Sequence, residues 1–543
     1  AYIVPGLFAR EPWSLEDASA FGVMWTMAHG GAAEWWLPSV VGEPLPEEGP
    51  LPFWIGALLI RLFGGIFGDI VAARLVTVLW FFIATISLWY ATYRLARRPE
   101  AQPVAFAFGG EANPRDYGRT LADIAVLLML ATIGIVLRMH ETIAETALFA
   151  FVAMLLLALA VSLEDPWKGT VGAAVALAAI ALTRGLLPAA ALMIASLIFV
   201  LSFGRHRVSR AIVFVAIAAG LFASWPLAAH RATPQAVLYF DAWWAWNARE
   251  LHGPSISNFM WFVRNVGWYT WPLWPFALWT LYSWRSFWRR PHVLLPLLIA
   301  IAAIAALLIV ADPSDRELIA AVPALVVLGA FSVSTLRRAA DNAIDWFSLA
   351  LFTLALLAIW VYFGAWNTGV PPKMAASVAR LVPGLDASAP IVATTIAIIA
   401  TAGWIVLALW RVRRRPKTLW RGPFFAAGGL AVVWVVVVSI YGAPIDYSRS
   451  YASTATVLAA QVRRVGGDSC VQGHHLPVGI RAMLAYHGGV NFGSQFAACH
   501  VAIQRDSQRT ASDDEPLRGW RVAYEFTRRA RYDEVFRVWV RDR

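Results

Sequence analysis

Acidic and arginine side chains cluster at the turns between long apolar runs of this sequence. Charge is costly beside an apolar span, so such residues are functional candidates. A carboxylate can take a proton from a reacting group, and Arg pairs bidentately with phosphate oxygens. The combination predicts a site that binds an anion and removes a proton. The residues in question are Asp17, Glu48, Arg138, His140, Glu141, Glu145, Arg184, Asp241, Arg249, His252, Arg264, Asp312, Asp315, Arg316 and Glu317.

The first long polar segment, residues 9–50, carries much of this charge. Its acidic residues are Glu11, Glu16, Asp17, Glu34, Glu43, Glu47 and Glu48. A helix is predicted to start at Ser14, because Ser is a good N-cap and Asp17 follows three residues later. We expect its apolar residues Phe21, Met24, Trp25 and Met27 to lie on the membrane surface. The segment is predicted to form one wall of an active site at a membrane face.

The composition identifies the class of protein. Hydrophobic residues make up 59% of the chain and charged residues 15%, and apolar runs of about 18 to 22 residues recur between residues 70 and 442. Solid apolar runs indicate an all-α polytopic membrane bundle and exclude a barrel, whose strands alternate. The net charge of +11 comes from Arg residues in short loops, so it does not indicate nucleic-acid binding.

The basic loops set the orientation and predict about thirteen spans. Residues 1–8 resemble the last turns of a first span that begins earlier. Residues 9–68 then lie on the non-cytoplasmic side, with 51–68 as an interfacial helix. We predict a transmembrane domain over residues 1–442 and a small α/β domain outside the membrane over 443–543.

The C-terminal region is polar and has no span. A helix is predicted near 450–464, and strands are predicted near 468–471 and 535–540. The chain's two cysteines, Cys470 and Cys499, both fall here. An oxidising compartment favours a disulfide between them; the alternative is two buried free thiols.

Simpler roles exist for most of the charged candidates. Asp17 could serve as a helix cap and nothing more, and the role of Glu145 could be limited to complementing a helix dipole. Arg138 and Arg184 could extend from span ends to the interface. His140 and His252 could bind a divalent metal ion, but no HxxxH spacing supports this. A metal requirement therefore stays open, and the combination of residues, not any single one, indicates a site.

Several motifs, taken in order, resemble those of the GT-C membrane glycosyltransferases, within them the aminoarabinose-transferase and protein-mannosyltransferase relatives. The first helix opens with SLEDASAF, and PEEGPLPFW stands where those proteins carry a segment like FEKPPLxYW. AARL at residues 72–75, Glu145 in ETALFAF, LTRGLLP at 182–188 and ADPSDRELIAAVPALVVL follow in the same order. The resemblance covers about residues 9 to 335.

This resemblance implies an integral membrane glycosyltransferase of the bacterial inner membrane, with its C-terminal domain periplasmic. A polyprenyl-phosphate sugar would be the donor, and a lipid, glycan or protein the acceptor, glycosylated by direct, inverting displacement. Asp17, or its neighbour Glu16, would be the base, and Glu145 the second catalytic acidic residue. The candidate substrate-binding residues are Glu16, Glu48, Arg138, His140, Arg184, Arg249 and Arg316.

Two departures from the family motifs limit which donor and acceptor the resemblance implies. Gly49 replaces the Lys of FEKPP, so Arg138, Arg184, Arg249 or Arg316 would have to contact the phosphate. The Arg and Tyr that follow the first acidic residue in the aminoarabinose transferases are absent from ASAF. The general reaction is therefore implied, but an aminoarabinose donor and a lipid A acceptor are not.

Two other classes of function remain as alternatives. A secondary transporter or lipid flippase would be expected to show internal repeats and ionisable residues at mid-membrane, whereas the charges here gather at one face. A non-enzymatic assembly subunit built around the C-terminal domain would have no need of the acidic first segment.

Overall fold

A computed structural model describes residues 2–102, 112–388, 390–414, 419–466, 470–493, 499–507, 519–528, 530 and 534–541. Residues 2–8 form turns and bends, so the helix end predicted there is not seen. The polar segment and the helix after it contain the elements α1 (Leu15–His29), α2 (Ala32–Trp36), β1 (Ser39–Val40), β2 (Glu43–Pro44) and α3 (Leu51–Phe67).

The apolar bundle follows and accounts for most of the chain. Its helices are α4 (Asp69–Ala96), α5 (Pro114–Ala131), α6 (Ile133–Arg138), α7 (Ala144–Val161), α8 (Pro166–Ala181), α9 (Leu186–Ser202), α10 (Arg207–Ala232), α11 (Ala236–Glu250), α12 (Ile256–Tyr269), α13 (Leu273–Ser283), α14 (Pro291–Ile309), α15 (Val322–Val333), α16 (Arg338–Thr368), α17 (Pro372–Leu381), α18 (Ile391–Arg414) and α19 (Arg421–Arg449).

Seven of the described helices are long and apolar enough to cross a membrane: α4, α7, α10, α14, α16, α18 and α19. Four shorter apolar helices, α3, α8, α9 and α15, accompany them. The chain is a multi-pass membrane protein, as predicted, but these criteria do not reproduce the count of about thirteen spans. One reason is that α5 ends at Ala131 and the chain restarts as α6, where Ile133 N–H donates to Trp271 O instead of continuing one helix.

A small sheet domain closes the chain. Its elements are α20 (Ala452–Gly466), β3 (Val471–His474), α21 (Val478–Gly488), β4 (Val501–Ser507), β5 (Trp520–Thr527) and β6 (Glu534–Arg541). The strand order is β3-β4-β6-β5, with β3 parallel to β4 and the other pairs antiparallel.

The predicted elements of this domain can be compared one by one. The helix near 450–464 and the strand near 535–540 are confirmed as α20 and β6. The strand near 468–471 is observed as β3 from Val471 onward, and residues 467–469 lie outside the described part of the chain. Cys470 and Cys499 form a disulfide beside β3 and β4. Helix α19 runs through residue 442 to Arg449, and the domain boundary at 442 stays a prediction.

Helix α1 shows how the sheet domain and the bundle are joined. Ser14 caps it as predicted, since its Oγ accepts a hydrogen bond from Asp17 N–H at 3.0 Å. The predicted position on the membrane surface is wrong for Phe21, Met24 and Met27, because they are buried between α3 and α21. Trp25 is half-buried and packs against Tyr486 of α21. Burial within the protein removes these side chains from water as completely as a lipid surface would.

Candidate active site

The turn that carries Arg184 is fixed by backbone contacts with the polar segment. Gly49 N–H donates to Thr183 O at 2.9 Å, and Leu51 N–H donates to Leu182 O at 3.2 Å. Gly185 has a φ of +62°, a conformation that Gly adopts easily. On its far side, Leu186 N–H donates to Asn247 Oδ1 of α11 at 2.8 Å. The polar segment and α11 therefore hold Arg184 between them.

Gly49 is required by this close approach. A Cβ placed on Gly49 would lie 2.1 Å from Leu182 O, which is far too close. No side chain fits there without moving the backbone of the 182–185 turn. Arg184 is the cation that pairs with Glu48 beside this approach.

We expect Gly49→Ala to lower the free energy of unfolding by about 1–3 kcal/mol, the usual cost of overpacking. Thermal unfolding of the detergent-solubilised protein measures the effect. Gly267→Ala is the matched control, because its Cβ would meet no atom within 4 Å. Equal melting temperatures for Gly49→Ala and the parent would contradict the close approach.

Arg184 lies at the centre of a charged cluster. The cluster is at the end of the bundle that carries residues 9–50, and this end is called the loop end below. Arg184 Nη1 donates to Glu145 Oε1 at 2.9 Å and to Glu48 Oε1 at 3.2 Å. In the part of the chain that the structure describes, its Nη2 makes one ion-pair contact, at 3.8 Å from Glu317 Oε1. One nitrogen is thus engaged by carboxylates, while the other remains a donor that an anion could use.

Arg316 lies next to Arg184, and its contacts with carboxylates are longer. Its Nη1 is 3.9 Å from both Glu145 Oε1 and Glu16 Oε1. The Glu16 side chain is 41% exposed, so its carboxylate can reach a molecule entering from outside. Arg184, Arg316, Glu16, Glu48, Glu145 and Glu317 are called the Arg184 cluster below.

Glu48 is the carboxyl most affected by this environment. Burial raises the pKa of Glu48 to about 8, Glu145 and Glu47 add to the rise, and Arg184 opposes it. Its Oε2 is buried and has no hydrogen-bond partner among the described residues. A protonated Glu48 at neutral pH would remove one negative charge from beside Arg184.

A pH-dependent stability follows from Glu48. The folded protein binds this proton up to about pH 8, while an ordinary carboxyl releases it near its value of 4.5. The stabilisation is therefore complete below pH 4.5 and is lost as the pH rises through 8. We expect the parent's melting temperature to fall across this window more steeply than that of Glu48→Gln. Identical slopes in the two proteins would contradict the raised pKa.

A cavity adjoins Arg184 and continues into the bundle. Arg184, Glu317, Glu250 and Asn247 form its polar mouth. Its walls are apolar and come mainly from α9 and α14, with Leu187, Pro188, Leu192, Ala303, Ala306 and Leu307 among them. The cavity therefore joins a polar end, which holds one arginine and two acidic side chains, to apolar walls.

Asp17, the predicted base, occupies a different position from the Arg184 cluster. It is 1% exposed, and Thr142 N–H donates to its Oδ1 at 2.9 Å. Its Oδ2 accepts from Arg10 Nη1 at 3.1 Å and from Trp13 N–H at 3.3 Å. Asp17 therefore anchors the start of α1 to the turn before Glu145, and it does not line the cavity.

The other predicted substrate-binding residues are spread around the site. Arg138 pairs with Glu141 at 2.8 Å and with Asp315 at 2.7 Å. His140 is buried, with its ring nitrogens 2.5 Å from Val136 O and 3.0 Å from Tyr2 O, so it faces backbone and not the cavity. Arg249 is exposed near the end of α11 and makes no ion pair with any described residue. The roles of these residues stay predictions.

Several residues that hold the site were not among the sequence candidates. Arg10 bonds to Asp17, and Arg74 of α4 donates to Arg10 O at 2.5 Å. Asp446 of α19 accepts from Glu11 N–H and Trp13 Nε1–H, both at 2.9 Å. His487 of α21 lies 3.0 Å from Glu11 Oε2. Arg74 and Asp446 could have been identified from the sequence, because each is a charge inside or at the end of an apolar helix.

A metal site is not apparent in the part of the chain that the structure describes. Within it, no group of three or more His, Cys, Asp and Glu residues is arranged to hold an ion. Within the Arg184 cluster, Glu48 and Glu145 pair with Arg184. The possible divalent metal ion therefore stays an untested prediction.

Comparisons with known proteins bear on the fold. No protein-family model matches the chain, and no curated protein matches it significantly by sequence. Two crystal structures of ArnT from Cupriavidus metallidurans, apo and bound to undecaprenyl phosphate, align with TM-scores of 0.67 and 0.65. Both are 16% identical in sequence, and the alignments cover 99% of this chain and 95% and 96% of those chains.

A weaker likeness is to the archaeal oligosaccharyltransferase AglB from Archaeoglobus fulgidus in complex with an inhibitory peptide and a dolichol-phosphate. Its TM-score is 0.38 at 13% identity, over 78% of this chain and 53% of that one, which is too low to support an argument. The ArnT alignments cover nearly the whole chain. Over that length the chain has the fold of the aminoarabinose transferase ArnT, and the GT-C fold predicted from its motifs is confirmed.

Proposed function

We propose that this chain is a membrane glycosyltransferase that moves a sugar from a polyprenyl-phosphate donor to an acceptor hydroxyl. The observation that carries the proposal is Arg184, which stands between a set of carboxylates and an apolar cavity. The reaction requires a cation that stabilises the leaving phosphate and a base that deprotonates the incoming hydroxyl. Arg184 would be the cation, and one of the carboxylates would be the base. We place the reaction at the periplasmic face of a bacterial inner membrane.

The cavity suits such a donor at both of its ends. The prenyl chain would lie along the apolar side chains of α9 and α14, which continue from the mouth into the bundle. The phosphate would meet Arg184 Nη2 and Arg316, the least engaged donors of the Arg184 cluster. A structural neighbour, ArnT, has been solved with undecaprenyl phosphate bound, which supports a lipid of this class.

The chemistry needs one proton transfer and one displacement. A carboxylate takes the proton of the acceptor hydroxyl, and the resulting oxygen attacks the anomeric carbon of the sugar. The bond from that carbon to the phosphate oxygen breaks, and polyprenyl phosphate leaves. The transferred sugar has the inverted configuration at its anomeric carbon. Arg184 and Arg316 would stabilise the charge that grows on the leaving phosphate.

Glu16 is the carboxylate that we assign as the base. Its side chain is partly exposed beside Arg316, whereas the oxygens of Asp17 already accept three hydrogen bonds. Glu145 would orient Arg184 through their 2.9 Å contact. A protonated Glu48 would take one negative charge away from the place of the phosphate.

Binding of undecaprenyl phosphate tests the donor site. We expect native mass spectrometry to detect it on the purified full chain, and undecaprenol, which lacks the phosphate, to bind much more weakly. Equal binding of the two lipids would argue against a phosphate site at Arg184. Movement of a polyprenyl lipid across a bilayer without any transfer of sugar would favour the lipid-flippase alternative instead.

A further inference from the structure

A second cleft lies at the loop end, formed by α16, α17 and α19 and separate from the Arg184 cluster. Ala358, Ile359 and Tyr362 of α16 face Val437 and Tyr441 of α19 across it. Helix α17 closes one side, and its Leu381 remains 74% exposed there. An apolar wall left open in a membrane protein is suited to a hydrocarbon chain.

Helix α17 places this cleft at the membrane surface. Met374, Val378 and Leu381 follow one another at helical spacing on one side, and Lys373, Ser377 and Arg380 follow on another. A helix with one apolar and one basic face lies in the plane of a membrane interface. The apolar walls of the cleft therefore start at headgroup depth and extend toward the bilayer interior.

The rim of the cleft is positively charged. Arg449, in the last turn of α19, lines it, is exposed and makes no ion pair within 4.0 Å among the described residues. Lys373 and Arg380 of α17 are exposed on the basic side of that helix and are not among the lining residues. Asp386 is the acidic side chain in the loop after α17, and Asp446 is turned to Glu11 and Trp13. The described residues that line the cleft include one charged side chain, the cation of Arg449.

We propose that this cleft binds a diacyl phospholipid with an anionic headgroup, from the leaflet on the loop-end side. One acyl chain lies between α16 and α19, and the phosphate pairs with Arg449. Pro444 of α19 also lines the cleft, and because it has no N–H, the helix loses one backbone hydrogen bond there. The proposal concerns binding only and does not depend on the transfer reaction.

The position of the cleft gives the bound lipid a structural consequence. Arg449 is one helical turn from Asp446, which holds the backbone and the indole of residues 11–13. Those residues directly precede the helix that carries Glu16 and Asp17. A lipid that orders the last turn of α19 would therefore also order the start of α1.

Native mass spectrometry of the full chain in detergent, with added phosphatidylglycerol or phosphatidylethanolamine, tests the proposal. We expect preferential retention of phosphatidylglycerol and about a tenfold loss in Arg449→Glu, because a basic residue near an anionic headgroup is replaced by a repelling one. Arg231→Glu is the matched control, since Arg231 is likewise exposed in the last turn of a long helix, α10. It should retain phosphatidylglycerol like the parent.

A second variant tests the hydrocarbon part of the cleft. Ala358 is exposed within it, so Ala358→Trp should fill the space without replacing a buried side chain and should abolish retention at an unchanged melting temperature. Equal retention of the two lipids by the parent would overturn the proposal. So would full retention by Arg449→Glu or Ala358→Trp, or an equal loss in Arg231→Glu.

Discussion

Replacing Arg184 with Met should lower the rate of sugar transfer by about 10²- to 10³-fold, the usual effect of removing one donor that stabilises the transition state. Arg184 is the residue that touches both the carboxylates and the cavity. Its loss removes the cation beside the leaving phosphate and should also weaken undecaprenyl phosphate binding. The measurement is transfer from a polyprenyl-phosphate sugar in liposomes, with undecaprenyl phosphate binding measured in parallel.

Stability must be separated from activity in this variant. Arg184→Met leaves Glu145, which is 1% exposed, without its nearest cation, and an uncompensated buried charge commonly costs about 3–5 kcal/mol. Arg184→Lys keeps a cation but loses the planar fork, so we expect it to stay folded with reduced transfer. Arg231→Met, at an exposed position in the last turn of α10 and outside the candidate residues, is the control and should transfer normally. A folded Arg184→Lys with the parent's rate and affinity would count against the role of Arg184.

Glu16→Gln and Asp17→Asn should fail in different ways. Glu16→Gln removes a partly exposed carboxylate, whose one ion pair with a described residue is a 3.9 Å contact with Arg316, so the fold should be unaffected. Loss of a general base should lower transfer by about 10²- to 10⁴-fold. Asp17→Asn instead leaves Arg10 without its buried partner and places an NH₂ group among N–H donors, so it should lower the melting temperature markedly.

Melting temperature and transfer rate, measured together, decide between the two residues. Glu34→Gln is the control for general charge effects, because Glu34 lies in the same segment outside the Arg184 cluster. Normal turnover in Glu16→Gln, with a stable but inactive Asp17→Asn, would reverse the assignment and return the base to Asp17.

The charged turns of the site could be predicted because they are local features. Glu48, Glu145, Arg184 and Arg316 each stand next to an apolar run, and alternating loops of a bundle must meet at one end. Their grouping follows from topology alone. Which of them touch depends on details such as the Gly49–Leu182 approach, and a side-chain pattern does not encode those distances.

The surroundings of α1 could not be predicted for a related reason. Its apolar residues fit a lipid surface and a protein interior equally well, since both exclude water. Helix α1 lies in the protein interior because α21 and Asp446 contact it or the residues before it. Asp446 contacts residues 11 and 13 from more than 430 positions away in the chain. The charge inside α4 at Arg74 signals a polar contact, but nothing in the sequence indicates that this contact runs through Arg10 to Asp17.

Sugar transfer by this chain is most directly tested by following polyprenyl lipids in membranes from cells that lack the protein. Such membranes should accumulate a polyprenyl-phosphate-linked sugar. Adding the purified chain should convert it to polyprenyl phosphate, with a matching gain in mass on an acceptor, and Arg184→Lys should do so slowly. Mass spectrometry of the extracts would identify the sugar at the same time. Unchanged levels of every polyprenyl-phosphate sugar, with the chain folded and present, would contradict the proposed glycosyltransferase function.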